Sequence, residues 1–400
     1  MAERPITWLH SHFLLPTGGT KFIFEVVSRM ARRHPMEVLV ERSSPLWRER
    51  YEEAGVPLRE IGGATSTSMA YWLGLPAFVR RDRRAALTAA GRSAALVSSF
   101  FPMHWAAVVA GSRNDIRHVH MCFEPFPFFY DRDVIRMYPA WKRMLLAYLR
   151  IAYRGLDRAG VRRADRLLTL NEATAASIER VYGIAGAEPT YAGVDTQFFH
   201  PYDDTELADL RARHGDGPIV IHSTDFSPIK RTDLALRAFA AAGSPNGTPP
   251  RLLVTSTRED PRVQRELTDL ARSLSIDDRV EFLGFLPYED LPRYYSLADV
   301  LLQTGTAAGS GATTMSLPVK EALACGTAVV RSQATEEDVV DGVSGYLVDP
   351  NDVATTGSRI ATLLADRTRA REMGESGRRK IVELYDWDRV ADVVLRAAVG

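Results

Sequence analysis

The chain has 400 residues, of which 46% are apolar and 25% are charged, with a formal net charge of zero. This composition excludes a disordered, collagen-like or membrane-embedded chain, and the length predicts two or three domains at about 100–200 residues each. The zero net charge hides an asymmetry, because residues 1–194 carry 27 basic and 18 acidic side chains and residues 195–400 carry 23 and 32. Opposite charges favour two domains that face each other. No helix-turn-helix, zinc-finger or RNA-binding signature accompanies the basic half, so we expect no nucleic-acid partner.

Short apolar runs alternate with helical patterns along the whole chain. In the first half we predict strands at 6–10, 36–40, 95–100, 116–121 and 167–170. In the second half we predict strands at 218–223, 251–255, 280–283, 300–303 and 328–331. Helical patterns separate these runs, which indicates parallel sheets covered on both faces. Two such series predict two Rossmann-like domains, joined by the turn-rich segment 193–201. Ligands bind beyond the carboxyl ends of the strands in such sheets, so we expect the active site in the cleft between the domains.

Two glycines and a short basic segment lie where predicted strands run into helices. Gly18 and Gly19 let a ligand approach the backbone where a helix N-terminus favours an anion, although a simple turn explains them equally well. Ser227, Lys230 and Arg231 belong to a second such loop. Its two cationic side chains suit a diphosphate, and the alternative is a solvated basic turn.

A third loop, Gly309-Ser310-Gly311, precedes the segment Thr313–Leu317 and a helix that contains Glu321. The free N–H groups at the start of that helix suit a phosphate or a sugar hydroxyl. Glu321 is placed to accept hydrogen bonds from a ribose diol, although a glutamate on a helix is more often solvated.

The order of several further stretches resembles one enzyme family. Ser227-Pro228-Ile229-Lys230 resembles its phosphate loop, and Gly193-Val194-Asp195 its interdomain signature. Lys320 to Gly326, followed by Gly345 to Val348, resembles its most characteristic block. The family is that of retaining glycosyltransferases of the GT-B fold, family 4 (group 1 type), and the likeness spans nearly the whole chain.

The resemblance implies two Rossmann-like domains facing across a cleft. Residues 1–194 would bind the acceptor, residues 195–380 would bind the nucleotide sugar, and a last helix in 381–400 would pack back on the first domain. The donor would be a nucleoside-diphosphate sugar, with GDP slightly favoured over UDP. No cofactor and no metal would be needed, because the reaction rests on positioning and on stabilising the departing diphosphate.

The resemblance also assigns residues. Lys230 falls on the lysine that contacts the diphosphate, Glu321 on the glutamate that binds ribose, and Leu286 near the base pocket. The predicted donor-binding set is Gly18, Gly19, Ser227, Lys230, Arg231, Leu286, Thr313, Thr314, Met315, Ser316, Leu317 and Glu321. The predicted catalytic residues are Lys230, Arg231 and His120.

Three positions depart from the family pattern. Thr313 stands where the family often has a glutamate that binds donor-sugar hydroxyls, and Asp225 stands where it often has an arginine. Phe123 stands where the family commonly has a histidine that contacts the sugar. His120 or His118 can replace that histidine, and the alternative is that both are core residues. Because these changes surround the sugar and spare the nucleotide, we hypothesise an unusual donor sugar.

The sequence indicates the acceptor-binding residues of the first domain less clearly than the donor-binding ones. His12, His104, Trp105 and Phe126 are candidates for the wall of an acceptor site, and the aromatic density from Phe123 to Tyr130 suits an apolar or ring-bearing small molecule, such as a specialised metabolite. Core packing is the alternative. Lys142 to Arg166 carries eight basic residues among apolar ones, which indicates either peripheral membrane association or a solvated helical face.

The remaining expectations concern metals, compartment and assembly. Asp131-Arg132-Asp133 and Asp386-Trp387-Asp388 match a metal-binding spacing of another fold, which arises often by chance. Cys122 and Cys325 give no disulfide framework, and the N-terminal residues lack a signal-peptide layout, so we expect a cytoplasmic protein. Monomer and homodimer both remain open. The alternative functions are a non-catalytic nucleotide-sugar-binding partner and a sugar-nucleotide epimerase on the same scaffold.

Overall fold

The computed structural model describes residues 3–14, 17–63, 69–130, 135–136, 140–257, 259–305, 316–333 and 338–400. The chain divides into two compact units. Unit 1 comprises Met1–Ala192 and Trp387–Gly400, and unit 2 comprises Gly193–Asp386. The structural division lies two residues before the predicted boundary at 194, and the segment that returns to unit 1 begins at Trp387 instead of at 381.

Unit 1 is built on a parallel sheet of seven strands in the order β3-β2-β1-β4-β5-β6-β7. The strands are β1 (Ile6–Phe13), β2 (Met36–Ser43), β3 (Leu58–Glu60), β4 (Ala95–Ser98), β5 (Arg117–Cys122), β6 (Arg166–Thr169) and β7 (Glu188–Pro189). The helices described are α1 (Gly18–Ala31), α2 (Pro45–Glu53), α3 (Met69–Ala90), α4 (Met103–Asn114), α5 (Pro127–Tyr130), α6 (Ala140–Arg162) and α7 (Glu172–Tyr182).

Unit 2 is built on a parallel sheet of six strands in the order β10-β9-β8-β11-β12-β13. The strands are β8 (Ile219–Thr224), β9 (Arg251–Ser256), β10 (Val280–Gly284), β11 (Val300–Gln303), β12 (Ala328–Ser332) and β13 (Gly345–Val348). Its helices are α8 (Ala208–His214), α9 (Thr232–Ala242), α10 (Pro261–Ser273), α11 (Leu291–Leu297), α12 (Leu317–Ala324), α13 (Val353–Ala365) and α14 (Arg367–Leu384).

The two sheets confirm the predicted pair of Rossmann-like α/β folds. Every strand predicted from an apolar run is present, because such runs bury both faces of a strand between helices. The patterns missed three edge strands, because β3 and β7 are only three and two residues long and β13 begins with a glycine. In each sheet the strand order reverses once, between β1 and β4 in unit 1 and between β8 and β11 in unit 2. Such switch points open a crevice at the carboxyl ends of the strands, where ligands bind.

The last helix, α15 (Trp387–Val399), belongs to unit 1. The ring of Trp387 packs edge-on against Phe22 with a centroid distance of 5.5 Å, and Asp388 lies 3.5 Å from the guanidinium of Arg29. Both partners are on α1, so the chain returns to its first helix. In the parts of the chain that the structure describes, no helix combines the length and the apolar character needed to cross a bilayer.

Candidate functional site

The loop after β8 lies at the switch point of unit 2. The carboxylate of Asp225 accepts hydrogen bonds from the backbone N–H of Ser227 at 2.8 Å and from its hydroxyl at 2.5 Å. A short 3₁₀ turn, Pro228–Lys230, follows. The hydroxyl of Thr304, just beyond β11, donates to the carbonyl oxygens of Lys230 and Arg231 at 3.2 and 2.8 Å. The loop is therefore held at the carboxyl ends of both strands that form the switch point.

The charge of Lys230 acts on two neighbouring groups of this loop. Burial alone raises the pKa of the Asp225 carboxyl, but the hydrogen bonds from Ser227 and the charge of Lys230 outweigh it and leave that pKa below its usual value. Burial, with a smaller contribution from Lys230, lowers the pKa of His222 to about 4. Asp225 is thus ionised at neutral pH and turned into its own loop, where it is held by Ser227.

Arg231 has a different environment from Lys230. Its guanidinium donates two hydrogen bonds to the carboxylate of Asp233, at 3.0 and 3.1 Å, in a forked ion pair. Arg231 also adopts a left-handed backbone conformation, with φ +49°, where the 3₁₀ turn meets α9. Asp233 already balances the charge of Arg231, so the predicted role of Arg231 toward the diphosphate requires this pair to open.

Glu321 is buried, with 6% of its surface exposed. Its Oε2 accepts a hydrogen bond from the hydroxyl of Tyr295 at 3.4 Å. Tyr295 is itself buried on α11, and its hydroxyl also bonds to Ser223 near the end of β8. Burial and the neighbouring Glu321 carboxylate raise the pKa of Tyr295 well above its usual value, so the phenol stays protonated. The solvated alternative for Glu321 is therefore wrong.

Three further predicted donor residues of unit 2 that the structure describes are Ser316, Leu317 and Leu286. Ser316 is buried and directly precedes α12, and Leu317 is the half-buried first residue of that helix. Leu286 is half-buried in the segment after β10, next to Phe285, of which 64% is exposed. Thr313, Thr314 and Met315, with the loop Gly309–Gly311, lie outside the described residues. The expected sugar contacts of this segment therefore stay predictions.

Gly18 and Gly19 are the first residues of α1, next to the switch point of unit 1. Thr17 caps the helix, with reciprocal hydrogen bonds to Thr20 at 2.8 and 3.3 Å. Among the described residues, a Cβ built on Gly19 would meet nothing closer than the Thr17 hydroxyl at 4.0 Å. Packing within the protein therefore does not require glycine there, which leaves room for a ligand beside the backbone.

His12 lies in a polar cluster at the carboxyl ends of β1 and β2. Its Nε2 is 3.4 Å from Oε2 of the fully buried Glu41, and its ring packs edge-on against Tyr71 at 5.4 Å. Arg81 donates to Glu41 at 2.9 Å and to its own neighbour Asp82 at 2.9 Å. Burial and the adjacent Asp82 raise the pKa of Glu41 far above its usual value, although Arg81 opposes this. The cluster offers both hydrogen-bond donors and acceptors at this edge.

His120 and His104 lie in the core of unit 1. His120 is 2% exposed, its Nδ1 is 3.2 Å from the Ser98 hydroxyl, and its ring lies 4.8 Å from that of His104. His104 is also 2% exposed and bonds through Nε2 to the carbonyl of Asp157 at 3.1 Å. Burial depresses the pKa of His120 well below its usual value. Both side chains are therefore enclosed by protein groups, as expected for core residues. A direct contact of either histidine with a sugar or an acceptor would require unit 1 to open around it.

The remaining aromatic candidates belong to one packed cluster. Phe126 contacts Phe101 and Phe129 at ring distances of 5.8 and 4.8 Å, and Trp105 is half-buried against the same cluster. Phe123, where the family often has histidine, is 8% exposed and packs against Phe22 at 5.2 Å. These rings fill the core as the alternative interpretation expects, while the half-buried Trp105 and Phe126 keep part of their surface open.

Carboxylates with metal-binding spacing have other partners. Asp386 accepts from the Thr196 hydroxyl at 2.5 Å, and Asp388 pairs with Arg29. Asp131 and Asp133 lie outside the described residues. Within the described ranges no three His, Cys, Asp or Glu side chains are grouped to hold a metal ion.

Sequence reasoning missed Tyr295 and Glu41. Nothing in the local pattern distinguishes Tyr295 from Tyr294, because its partner Glu321 is 26 positions away. Glu41 did carry a signal, since it directly follows the apolar run Val38–Val40 near the carboxyl end of β2, and charged residues are rarely buried unless paired.

Comparisons with known proteins match both halves of the chain to glycosyltransferase families. A family model described as "Glycosyl transferases group 1" matches residues 204–380, and one described as "Glycosyltransferase Family 4" matches residues 16–198. A GDP-mannose-dependent alpha-(1-6)-phosphatidylinositol monomannoside mannosyltransferase of Mycolicibacterium smegmatis is 31% identical over 231 residues, which are 56% of this chain and 59% of that protein. A D-inositol 3-phosphate glycosyltransferase of Saccharomonospora viridis is 30% identical over 255 residues, with coverages of 59% and 55%. The matches span little more than half the length of these curated relatives.

Solved structures share the fold. HepE from Anabaena, crystallised in complex with UDP, superposes with a TM-score of 0.75 over 98% of both chains at 16% identity. Sucrose-phosphate synthase from Thermosynechococcus elongatus superposes with a TM-score of 0.68 over 98% of both chains at 19% identity. At these identities the likeness establishes the fold alone.

Proposed function

The chain belongs to the group 1 family of glycosyltransferases (family 4), and on this premise we propose that it transfers a glycosyl group from a nucleoside-diphosphate sugar to an acceptor hydroxyl. Unit 2 would bind the donor and unit 1 the acceptor. The reaction would retain the anomeric configuration and would need no metal ion. The predicted Rossmann-like pair and the matches to both family models support this assignment.

One arrangement carries the proposal. At the switch point of unit 2, the buried Glu321–Tyr295 pair reaches Ser223 near the end of β8, and the Lys230 loop follows the same strand. Glu321 is an acceptor suited to the two hydroxyls of a ribose, and Tyr295 holds its carboxylate in place. Lys230 is a cation suited to the diphosphate, whose negative charge grows as the glycosidic bond breaks. Both groups would act on the nucleotide part of the donor.

We propose GDP over UDP as the nucleotide. The support is that the turn Pro228–Arg231 resembles mannosyl-type family members, and that a matched relative from M. smegmatis is named as GDP-mannose-dependent. An unusual sugar on that nucleotide remains part of the proposal because Phe123 packs in the core where the family often has a sugar-binding histidine. For the acceptor we propose a small molecule with hydroxyl groups, such as a specialised metabolite, bound near His12 and Glu41.

Thermal unfolding with GDP, UDP, dTDP or ADP, each with and without EDTA, tests the donor site. A ligand that binds only the folded state stabilises it by about 2.7 kcal/mol at 100 times its dissociation constant. We expect a clear rise in Tm with GDP that EDTA does not change. No rise with any of the four nucleotides would contradict the assignment of Lys230 and Glu321.

Variants then separate binding from chemistry. Lys230→Ala should reduce turnover of the matching sugar nucleotide by roughly a hundredfold or more, because it removes stabilisation of the departing charge. Arg237→Ala is the matched control, since Arg237 is an exposed cation on the adjacent helix α9. Equal turnover in both variants would contradict the role of Lys230. An NMR assignment of the product anomer tests retention.

A further inference from the structure

Helix α6 presents a continuous apolar stripe to solvent. Trp141, Met144, Tyr148 and Ile151 are 50, 72, 68 and 82% exposed. Their spacing of three, four and three residues places them on one face of the helix, over about 15 Å at 1.5 Å per residue. The core takes the opposite face, where Leu146 and Leu149 are buried with aromatic residues of α3. The exposed stripe is therefore additional to what the fold requires.

Cations accompany this stripe. Helix α6 holds six basic residues and one acidic residue, Asp157, which is 1% exposed and accepts a hydrogen bond from Tyr130 at 2.7 Å. The exposed face of α6 thus carries no carboxylate. Arg143, Arg150 and Arg154, spaced by seven and four residues, follow one side of the stripe.

A small cavity adjoins the arginine side of the stripe. It has a volume of about 240 Å³ and is lined by Ile135, Arg136, Arg143, Leu146, Ala147 and Arg150. Three arginines surround an apolar floor, so the cavity offers cationic groups at the rim and apolar contact below. An anionic headgroup with an attached acyl chain has this combination of charge and apolarity.

The charge of this face favours an anionic membrane over a second copy of the chain as its partner. A symmetric dimer would bring the same arginines of two copies together, and like charges across an interface cost several kcal/mol. An anionic bilayer instead attracts the arginines by about 1 kcal/mol each near its surface. Exposed Trp and Tyr side chains suit the interfacial region, and Met and Ile suit the acyl boundary. Arginine stems also cover apolar surface while their charged ends stay in water.

We propose that the exposed face of α6 docks unit 1 on an anionic membrane surface. The helix lies in the plane of the interface, with Trp141, Met144, Tyr148 and Ile151 inserted and Arg143, Arg150 and Arg154 against the headgroups. This inference goes beyond the proposed transferase activity and does not depend on it, because it uses no residue of the donor site.

Vesicle flotation of the full chain tests this docking. We expect binding to vesicles of phosphatidylcholine mixed with phosphatidylglycerol, weak binding to phosphatidylcholine alone, and release at high salt because screening weakens the attraction. Ile151→Glu should lower the partition coefficient about tenfold or more, since it places a carboxylate in the inserted face. Val382→Glu is the matched control, because Val382 is a 44% exposed apolar residue on helix α14 of unit 2.

Further readouts separate this proposal from its rivals. Both Glu variants should keep the wild-type Tm and the wild-type response to GDP, so loss of vesicle binding by Ile151→Glu alone is a surface effect. Equal binding by the two variants, or equal binding to both vesicle types, would overturn the proposal. Light scattering could instead show a dimer that Ile151→Glu dissociates, while flotation shows no vesicle binding. That outcome would assign the face to a second copy of the chain. A missing response to GDP would contradict the donor site and leave the membrane result unaffected.

Discussion

The hydroxyl of Tyr295 donates a hydrogen bond to Oε2 of Glu321 across 3.4 Å, which joins the helices α11 and α12 inside unit 2. The hydroxyl of Thr327 in turn donates to the backbone carbonyl of Tyr295 at 2.6 Å, which fixes α11 to the segment after α12. Tyr295 therefore acts as a positioning residue for the carboxylate that we assign to the ribose.

Tyr295→Phe tests this positioning role. The variant keeps the packed ring but removes one donor to Glu321, so GDP affinity should fall about five- to tenfold, or about 1–1.4 kcal/mol. Isothermal titration calorimetry with GDP measures the change. Tyr294→Phe is the control, because Tyr294 lies on the same helix with its ring against His214. Equal losses of GDP affinity in the two variants would show that the hydrogen bond from Tyr295 to Glu321 does not contribute to nucleotide binding.

Asp225 gives a second prediction, which separates its charge from its hydrogen bonds. Asp225→Asn removes the charge but keeps an oxygen that can accept from Ser227, so nucleotide affinity should stay within about twofold of wild type. Asp225→Ala removes the acceptor, so the Lys230 loop should loosen and GDP affinity should fall about fivefold. Titration of both variants with GDP measures the difference. Tighter binding by Asp225→Ala would contradict this prediction and would mean that the carboxylate repels the diphosphate.

His222 makes the stability of unit 2 dependent on pH. Its Nδ1 lies 2.9 Å from the carbonyl of Leu302 and its Nε2 lies 3.2 Å from the Thr232 hydroxyl. Because its folded pKa of about 4 is below the unfolded value of 6.5, the unfolded state binds the proton more readily. The stability that comes from the neutral ring is fully present above about pH 6.5 and is lost as the pH falls toward 4.

Urea unfolding of wild type and His222→Asn at several pH values checks this prediction. Each proton taken up on unfolding contributes about 1.4 kcal/mol per pH unit. Between pH 6.5 and 4 the wild type should therefore lose stability more steeply than the variant. The difference in slope should reach at most about 1.4 kcal/mol per pH unit, which corresponds to one proton. Other buried histidines, such as His118 with a pKa of about 3, affect both proteins alike and cancel in the comparison. Parallel curves would contradict the assigned pKa.

Two glycines in long helices should respond to alanine in opposite directions. A Cβ on Gly374 in α14 would lie 1.8 Å from the carbonyl oxygen of Gly326, whereas a Cβ on Gly155 in α6 would meet none of the described residues within 4 Å. Gly155→Ala should stabilise by about 0.5–1 kcal/mol through helix propensity. Gly374→Ala should destabilise by about 3 kcal/mol or more, because a backbone oxygen cannot rotate away. Chemical denaturation measures both, and a stable Gly374→Ala protein would mean that α14 and Gly326 are not in close contact.

Local sequence patterns were sufficient to predict the architecture of each unit and the cationic character of the loop after β8. The alternation of apolar strands with helical patterns is a local property that burial on both sheet faces imposes, so the parallel sheets could be predicted from it. The loop Ser227–Arg231 could also be predicted, because its two cationic residues and the strand-to-helix turn that holds them are adjacent in the sequence.

Which polar groups meet depends on how the chain packs in three dimensions. Tyr295 and Glu321 come together because helices α11 and α12 pack against each other, and Glu41 on β2 meets Arg81 on α3 across 40 positions. Burial likewise enclosed His104 and His120, and it sorted α6 into a core face with Leu146 and an outer face with Ile151. Residue type and spacing do not fix these outcomes, because desolvation and pairing depend on the neighbours that distant parts of the chain supply.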